Sequence, residues 1–399
     1  MENPPFRPPP YNASFSLCPT DATLFFLPSI YMLLFLTALP GNALSLWIFL
    51  RRISSISPTH IYLAHLSISN LLMSCVTPFL AAYFAKGSAW AMSSALCQIV
   101  LHGITPVLHI NIYISLLILT WVALSRFAVL IQNTHASRPS ACITLLPHSF
   151  FSCLTRVSFA NAVCATVWVV SVGAIVPVTV YYSVNEAMMG KKDGDEQREK
   201  CVDVCYNPAV ELGGSVSSSL NIATITVFFV FYLLVLLSYM TVLRHIRRSR
   251  LNTNVNTSQS LLARVFRNIV VIQIVLSVCL LPFHIYKPIF ITLIHHQPDL
   301  LHYSGPDDCS CHPLNIYIEV KNILFLLAAL RGSTDPVMYF LLDRTFRCQT
   351  LRLLRCNQGD SNRKAMVWST TGSANQKLEH LGEENMATST MDSGFGRTT

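Results

Sequence analysis

The stretch IVLHGITPVLHINIYISLLILTWVALSRFAV, residues 99–129, decides the fold. It holds a single charged side chain, Arg126, close to one end. A helix needs about 20 mostly apolar residues to cross the hydrocarbon layer of a bilayer, and this segment exceeds that. His102, His109 and Asn111 interrupt it, so one helix face must look toward other protein rather than lipid. Such a face predicts companion helices, and the chain supplies them. The apolar runs are about Leu24–Leu50, Ile61–Tyr83, Cys97–Leu130, Ala162–Tyr182, Ser217–Val242, Ile269–Ile294 and Ile316–Leu342. The sequence therefore predicts an all-α fold, a seven-transmembrane helix bundle.

Composition agrees. Of 399 residues 52% are hydrophobic and 12% charged, with a mean hydropathy of +0.46. A soluble domain carries roughly 25% charged residues, so about half the usual charge is missing. The net charge of +8 does not point to nucleic acid. The basic residues gather in short loops between apolar runs, without the basic, aromatic-studded patch of a nucleic-acid surface.

Arginine sets the orientation. Arg51 and Arg52 follow the first run, Arg244 to Arg267 flank the loop between runs five and six, and Arg344 to Arg355 follow the seventh. Cytoplasmic loops carry the excess of basic residues, so residues 1–23 are expected outside, as for a multi-pass protein of the plasma membrane. Asn12-Ala13-Ser14 is then a glycosylation sequon on the correct side, whereas Asn256-Thr257-Ser258 falls inside and is discounted. MENPPFRPPPYNASF has no apolar core for a cleavable signal, so the first span is expected to act as the insertion signal. Six cysteines fall outside, Cys18, Cys97, Cys201, Cys205, Cys309 and Cys311. An even set suits disulfides, although six cysteines allow about 15 pairings.

The expected organisation is an extracellular N-terminus over 1–23, a bundle over 24–343, an amphipathic juxtamembrane helix over 344–356 and a disordered cytoplasmic tail over 357–399. In the juxtamembrane segment Phe346, Leu351 and Leu354 alternate with arginines, which suits a helix lying on membrane lipid. Cys348 and Cys356 are palmitoylation candidates there, or unmodified thiols. Residues 189–199 read as a loop. There is no internal repeat and no pair of interrupted spans, which argues against a transporter. No metal-ligand spacing, phosphate-binding glycine loop or nucleophile–base pair is present, which argues against an enzyme, a metal or a cofactor.

Several residues inside the spans resemble one family, the rhodopsin-like (class A) G-protein-coupled receptors. Gly41-Asn42, Trp90, Cys97, Arg126, Trp168, Pro282 and Asp335-Pro336-Val337-Met338-Tyr339 match its landmarks in order, over about residues 24–356. Pro78, the Asp-Pro-x-x-Tyr form and His284-x-x-Lys287 resemble the purinergic branch. The resemblance implies a heterotrimeric G protein as partner, with receptor kinases and arrestin acting on Ser/Thr clusters of the tail. It also implies Cys205 as partner of Cys97, and Cys18 with Cys311, leaving Cys201 and Cys309. Cys97 stands about one turn further from Arg126 than is usual. Either span three reaches further out or it contains a bulge near Gly103 and Pro106.

In such receptors Arg126 meets the G protein when span six swings outward. Here the usual acidic neighbour is Ser125, and the facing position on span six is Leu262. Leu280 replaces the usual aromatic toggle before Pro282, and Phe231 the usual proline of span five, while Tyr239 and Tyr339 remain to support the open state. With nothing local to hold Arg126, the sequence predicts appreciable ligand-free signalling. Relatives also hold a sodium ion through a span-two aspartate, which is Asn70 here. Asn111 and Ser115 are kept, and Arg331 is added one turn before Asp335. Residues four apart share a helix face, so the guanidinium is expected to take the place of sodium.

Leu108 stands where amine receptors carry an aspartate, which argues against a small cationic amine. His109, His284, Lys287 and Lys321 give the outer pocket a basic character, and the two lysines fall where nucleotide receptors bind phosphate. A small anionic ligand is therefore expected, nucleotide-like or lysophospholipid-like. The bland alternative is that the lysines snorkel or pair with Glu319 and Asp299. A receptor-like partner that does not itself signal is the competing function.

Overall fold

The computed structural model describes residues 18–87, 95–135, 148–190, 215–250, 256–296 and 313–354. All its regular structure is helical. Among the described residues seven helices are long and apolar enough to cross a membrane: Ala22–Arg52, Pro58–Ala85, Thr105–Val129, Val157–Pro177, Ile222–Thr241, Val265–Leu293 and Asn315–Leu342, spans one to seven. Lipid offers no partner to backbone N–H and C=O groups, and a helix satisfies them within the segment. Hydroxyls in the spans follow the same rule, as when Ser67 Oγ donates to the Leu63 carbonyl at 2.9 Å and Thr120 to Leu116 at 2.8 Å.

Local sequence fixes the ends. Span two starts on Ser57, whose side chain accepts from the His60 N–H while His60 Nδ1 accepts from the Ser57 N–H, with Pro58 at the first helical position. It stops at Gly87, which adopts φ +63°, a conformation that favours glycine, and a Cβ there would meet Pro19 Cγ at 2.8 Å. The span-four helix continues to Gly190, into the segment read as loop. Nothing between Val178 and Met189 is glycine or proline, so nothing stops it earlier.

Span three contains a π-helical bulge and also reaches out to Ala95. Helix begins at Ala95, passes through a π-helical turn at Ile99–Ile104 and resumes as Thr105–His135. Pro106 has no N–H to give the preceding turn, and the Thr105 hydroxyl donates to the Val100 carbonyl at 2.9 Å. Below this turn span three contacts spans two, four, five, six and seven, which places it at the centre of the bundle. A short helix, His148–Leu154, packs Phe151 and Leu154 against Ala128 beside Trp121 and Phe127. Span six has its own π turn, Leu276–Leu280, immediately before Pro282.

The chain divides into two compact units, Met1–Asp343 and Arg344–Thr399. Within the second, residues 344–354 are helical, with Phe346 buried and Leu351 and Leu354 exposed.

Candidate functional site

Midway along the bundle is a buried polar cluster. Arg331 and Asp335 are both fully buried and pair through Nη1 and Oδ2. Arg331 Nη2 also donates to Asn111 Oδ1 at 2.8 Å and Asn70 Oδ1 at 3.0 Å. Asn70 Nδ2 in turn donates to Asp335 Oδ2 at 2.7 Å and Asn42 Oδ1 at 3.0 Å, and Asn42 Nδ2 donates to the Gly332 carbonyl at 2.8 Å. Asn111 Nδ2 reaches Ser69 Oγ at 2.9 Å, while Ser115 Oγ donates to the Asn111 carbonyl at 2.5 Å. Three spans, two, three and seven, thus meet on one guanidinium, and span one joins them through Asn42. A buried charge is tolerated where it is paired; Asp335 pairs with this one, Asn70 and Asn111 accept from Nη2, and Nε is left without a hydrogen bond.

At the Arg126 end, the structure corrects the reading that nothing local holds that residue. Its Nη2 lies 3.7 Å from Asp343 Oδ2, just past the end of span seven, and His60 Nε2 lies 3.1 Å from the same oxygen. The carboxylate comes from the extended residue after span seven, which no spacing around Arg126 reveals. Ser125 is buried and points away, Oγ donating to the Leu154 carbonyl at 3.4 Å. Tyr239 stacks on Phe266 of span six at 5.5 Å. Tyr339 is fully buried with its ring edge on Phe49 at 5.8 Å. Leu280 is fully buried, and Pro282 is half-buried at the span-six kink.

Toward the Cys97 end, spans three, six and seven assemble a ring cluster around the basic residues. His109, half-buried, has its ring 5.1 Å from Phe325 and 6.4 Å from Phe283. His284 is fully buried, its face on Phe228 at 3.7 Å and its Nδ1 2.8 Å from the Leu280 carbonyl. A carbonyl can only accept, so Nδ1 carries the proton and Nε2 presents a lone pair, which no hydrogen bond satisfies. Lys287 lies one turn beyond His284 on span six and is half-buried. Lys321 Nζ stands 5.9 Å from the Phe290 ring centroid. Leu108 is buried among apolar neighbours.

Glu319, offered above as an alternative partner for the lysines, is engaged by the N-terminal segment. Its carboxylate accepts from the Thr20 N–H at 2.7 Å, Thr20 Oγ1 at 2.6 Å and Thr23 Oγ1 at 3.1 Å. Asn315 Nδ2 donates to the Cys18 carbonyl at 2.7 Å beside it. Cys18 and Cys97 are each in a disulfide. Their expected partners Cys311 and Cys205 lie outside the described residues, as do Cys201, Cys309, Asn12, Cys356, Trp90 and Asp299. Cys348 is exposed on the helix of residues 344–354.

Asp343 and His60 were missed by sequence reasoning, and Glu319 was read only as a partner for the lysines. The available signal for Asp343 was that it is the lone acid in a flank of Arg344, Arg347 and Arg352.

A bundle of seven spans with a central buried polar cluster and an arginine at one end of span three defines a class. The chain belongs to the seven-transmembrane receptors of the rhodopsin family, whose family model matches residues 41–339. It is a multi-pass membrane protein and a receptor, not an enzyme. It is similar to probable G-protein coupled receptor 82 of Homo sapiens, 39% identical over 322 residues, 80% of this chain and 89% of that one. The Mus musculus protein of the same name is 36% identical over 337 residues, 84% and 96% of the two chains. The human uracil nucleotide/cysteinyl leukotriene receptor is 26% identical over 337 residues, 84% and 78%.

Proposed function

We propose that the protein is a plasma-membrane receptor, N-terminus outside, that passes an extracellular anionic signal to heterotrimeric G proteins. The ligand class is nucleotide-like or lysophospholipid-like. The observation that carries this reading is the basic group His109, His284 and Lys321 set among Phe283, Phe325 and Phe290, with Lys287 one turn beyond His284 on span six, while the carboxylate of Glu319 is engaged by Thr20 and Thr23. Lysine ammonium groups supply the charge for a phosphate or carboxylate. With its proton on Nδ1, His284 is suited to accept from a ligand N–H or O–H. The relative named for a uracil nucleotide and a cysteinyl leukotriene is consistent with an anionic class.

Asp343 beside Arg126 removes the ground for expecting high ligand-free signalling, so the agonist-driven mode is the favoured one. The test is guanine-nucleotide exchange in membranes bearing the receptor, with nucleotides and lysophospholipids added in turn. Activation by neither class, at verified surface expression, would sink the ligand assignment. No exchange above that of mock membranes, with or without ligand, would favour the non-signalling partner.

The Arg331–Asp335 pair supports a second element of the proposal. The guanidinium stands in for the sodium ion of related receptors, with Asn70, Asn111 and Ser115 around it, so the equilibrium between states is indifferent to sodium.

A further inference from the structure

The last carbonyl of span seven and the residue that follows it are held from three sides. Asn268 of span six, itself buried, donates through Nδ2 to the Leu342 carbonyl at 3.2 Å. His60 of span two and Arg126 of span three both approach Asp343 Oδ2. The histidine's roles are fixed by its other contact. The Ser57 backbone N–H, which can only donate, lies 3.2 Å from His60 Nδ1, so the ring proton sits on Nε2 and is donated to Asp343. Arg126 at 3.7 Å is within ion-pair range but beyond a hydrogen bond. Its side chain is 26% exposed and that of Asp343 6%, so the pair is partly shielded from water and salt.

We propose that Asp343 is the carboxylate that restrains Arg126 in this receptor, with His60 as the positioning residue that aims it. The inference rests on the G-protein reading above and deepens it. Outward movement of span six breaks Asn268 from Leu342, and Arg126 must leave Asp343 before it can meet a G protein. One short segment, Leu342-Asp343, therefore couples the release of Arg126 to the release of span six. Ser125, already turned to the Leu154 carbonyl, takes no part.

The bland alternative is that Asp343 only caps the helix that follows it. Asparagine caps a helix as well as aspartate does, so Asp343→Asn removes the charge and keeps the cap. In full-length receptor at matched surface expression, Asp343→Asn is expected to raise ligand-free nucleotide exchange about fivefold or more, the scale of a typical conformational coupling. Adding Arg126→Ala should return the signal to that of mock membranes. Thermal midpoints of the purified wild type, both single variants and the double variant form the second readout, which needs no G protein. Non-additive midpoints support the pair, and additive ones overturn it. Exchange by Asp343→Asn equal to a wild type that itself exceeds mock also overturns the restraint. Non-additive midpoints with no exchange in any variant would uphold the pair and sink the G-protein reading instead.

Discussion

Arg331 and Asp335, one helical turn apart on span seven, form an ion pair in which neither side chain meets solvent. Such a pair is stable only while both members are present, since removing one leaves the other buried and unpaired. Arg331→Met is therefore expected to destabilise the purified receptor by about 3–5 kcal/mol, read as a large fall in thermal midpoint. A fall no greater than that of an exposed control such as Arg267→Met would contradict the role given to the guanidinium.

The same pair sets the response to salt. The wild-type midpoint should be equal in matched sodium and choline buffers. Asn70→Asp combined with Arg331→Ser, which restores the acid and removes the cation, should make the midpoint rise with sodium. Sodium-dependent stabilisation of the wild type would show that the ion still binds.

The N-terminal segment is tied to span seven through Glu319. Glu319→Gln replaces one acceptor oxygen by a donor group facing the Thr20 and Thr23 donors. An unsatisfied donor costs about 1–3 kcal/mol, so the Thr20 amide should exchange hydrogen roughly tenfold faster or more. Unchanged exchange across Thr20–Leu24 would mean that the tie adds nothing.

Spans one and seven approach closely at a glycine. A Cβ on Gly41 would stand 3.0 Å from Cγ of Pro336, whose ring cannot turn aside, whereas one on Gly173 meets nothing within 4 Å. Gly41→Ala should cost about 1–3 kcal/mol by overpacking. Gly173→Ala should be neutral or stabilising by up to about 1 kcal/mol through helix propensity. Midpoints in the reverse order would refute the close approach.

For an anionic agonist, Lys287→Ala and Lys321→Ala should each raise the half-maximal concentration about tenfold or more, the loss of one charge-assisted contact. Lys→Arg at either position should retain most of the potency. If both alanine variants respond like the wild type, the lysines are snorkelling and the anion binds elsewhere.

The spans were legible because an unbroken apolar run of sufficient length has few other uses, and Arg331 with Asp335 was legible because four-residue spacing is local. The bulge in span three was half-legible, since the long separation of Cys97 from Arg126 announced surplus chain without saying where it went. The contacts of Asp343 with His60 and of Glu319 with Thr20 span 283 and 299 positions. Each joins ordinary residues that only the bundle brings together, so no local pattern marks them. No acid adjoins Arg126 in the sequence, where Ser125 stands, but Asp343 from just past span seven occupies that neighbourhood.

A positive charge fixed to span seven differs from a diffusible one in a further way. A cation that enters a receptor from outside crosses part of the membrane's electric field, and one charge crossing the whole of a 100 mV potential exchanges about 2.3 kcal/mol. That makes occupancy, and with it the balance of states, a function of voltage. The Arg331 guanidinium can neither enter nor leave, and its paired carboxylate makes the two together electrically neutral. On the proposed reading, in which the guanidinium replaces the diffusible ion, the resting balance should be the same in a polarised cell as in a depolarised one.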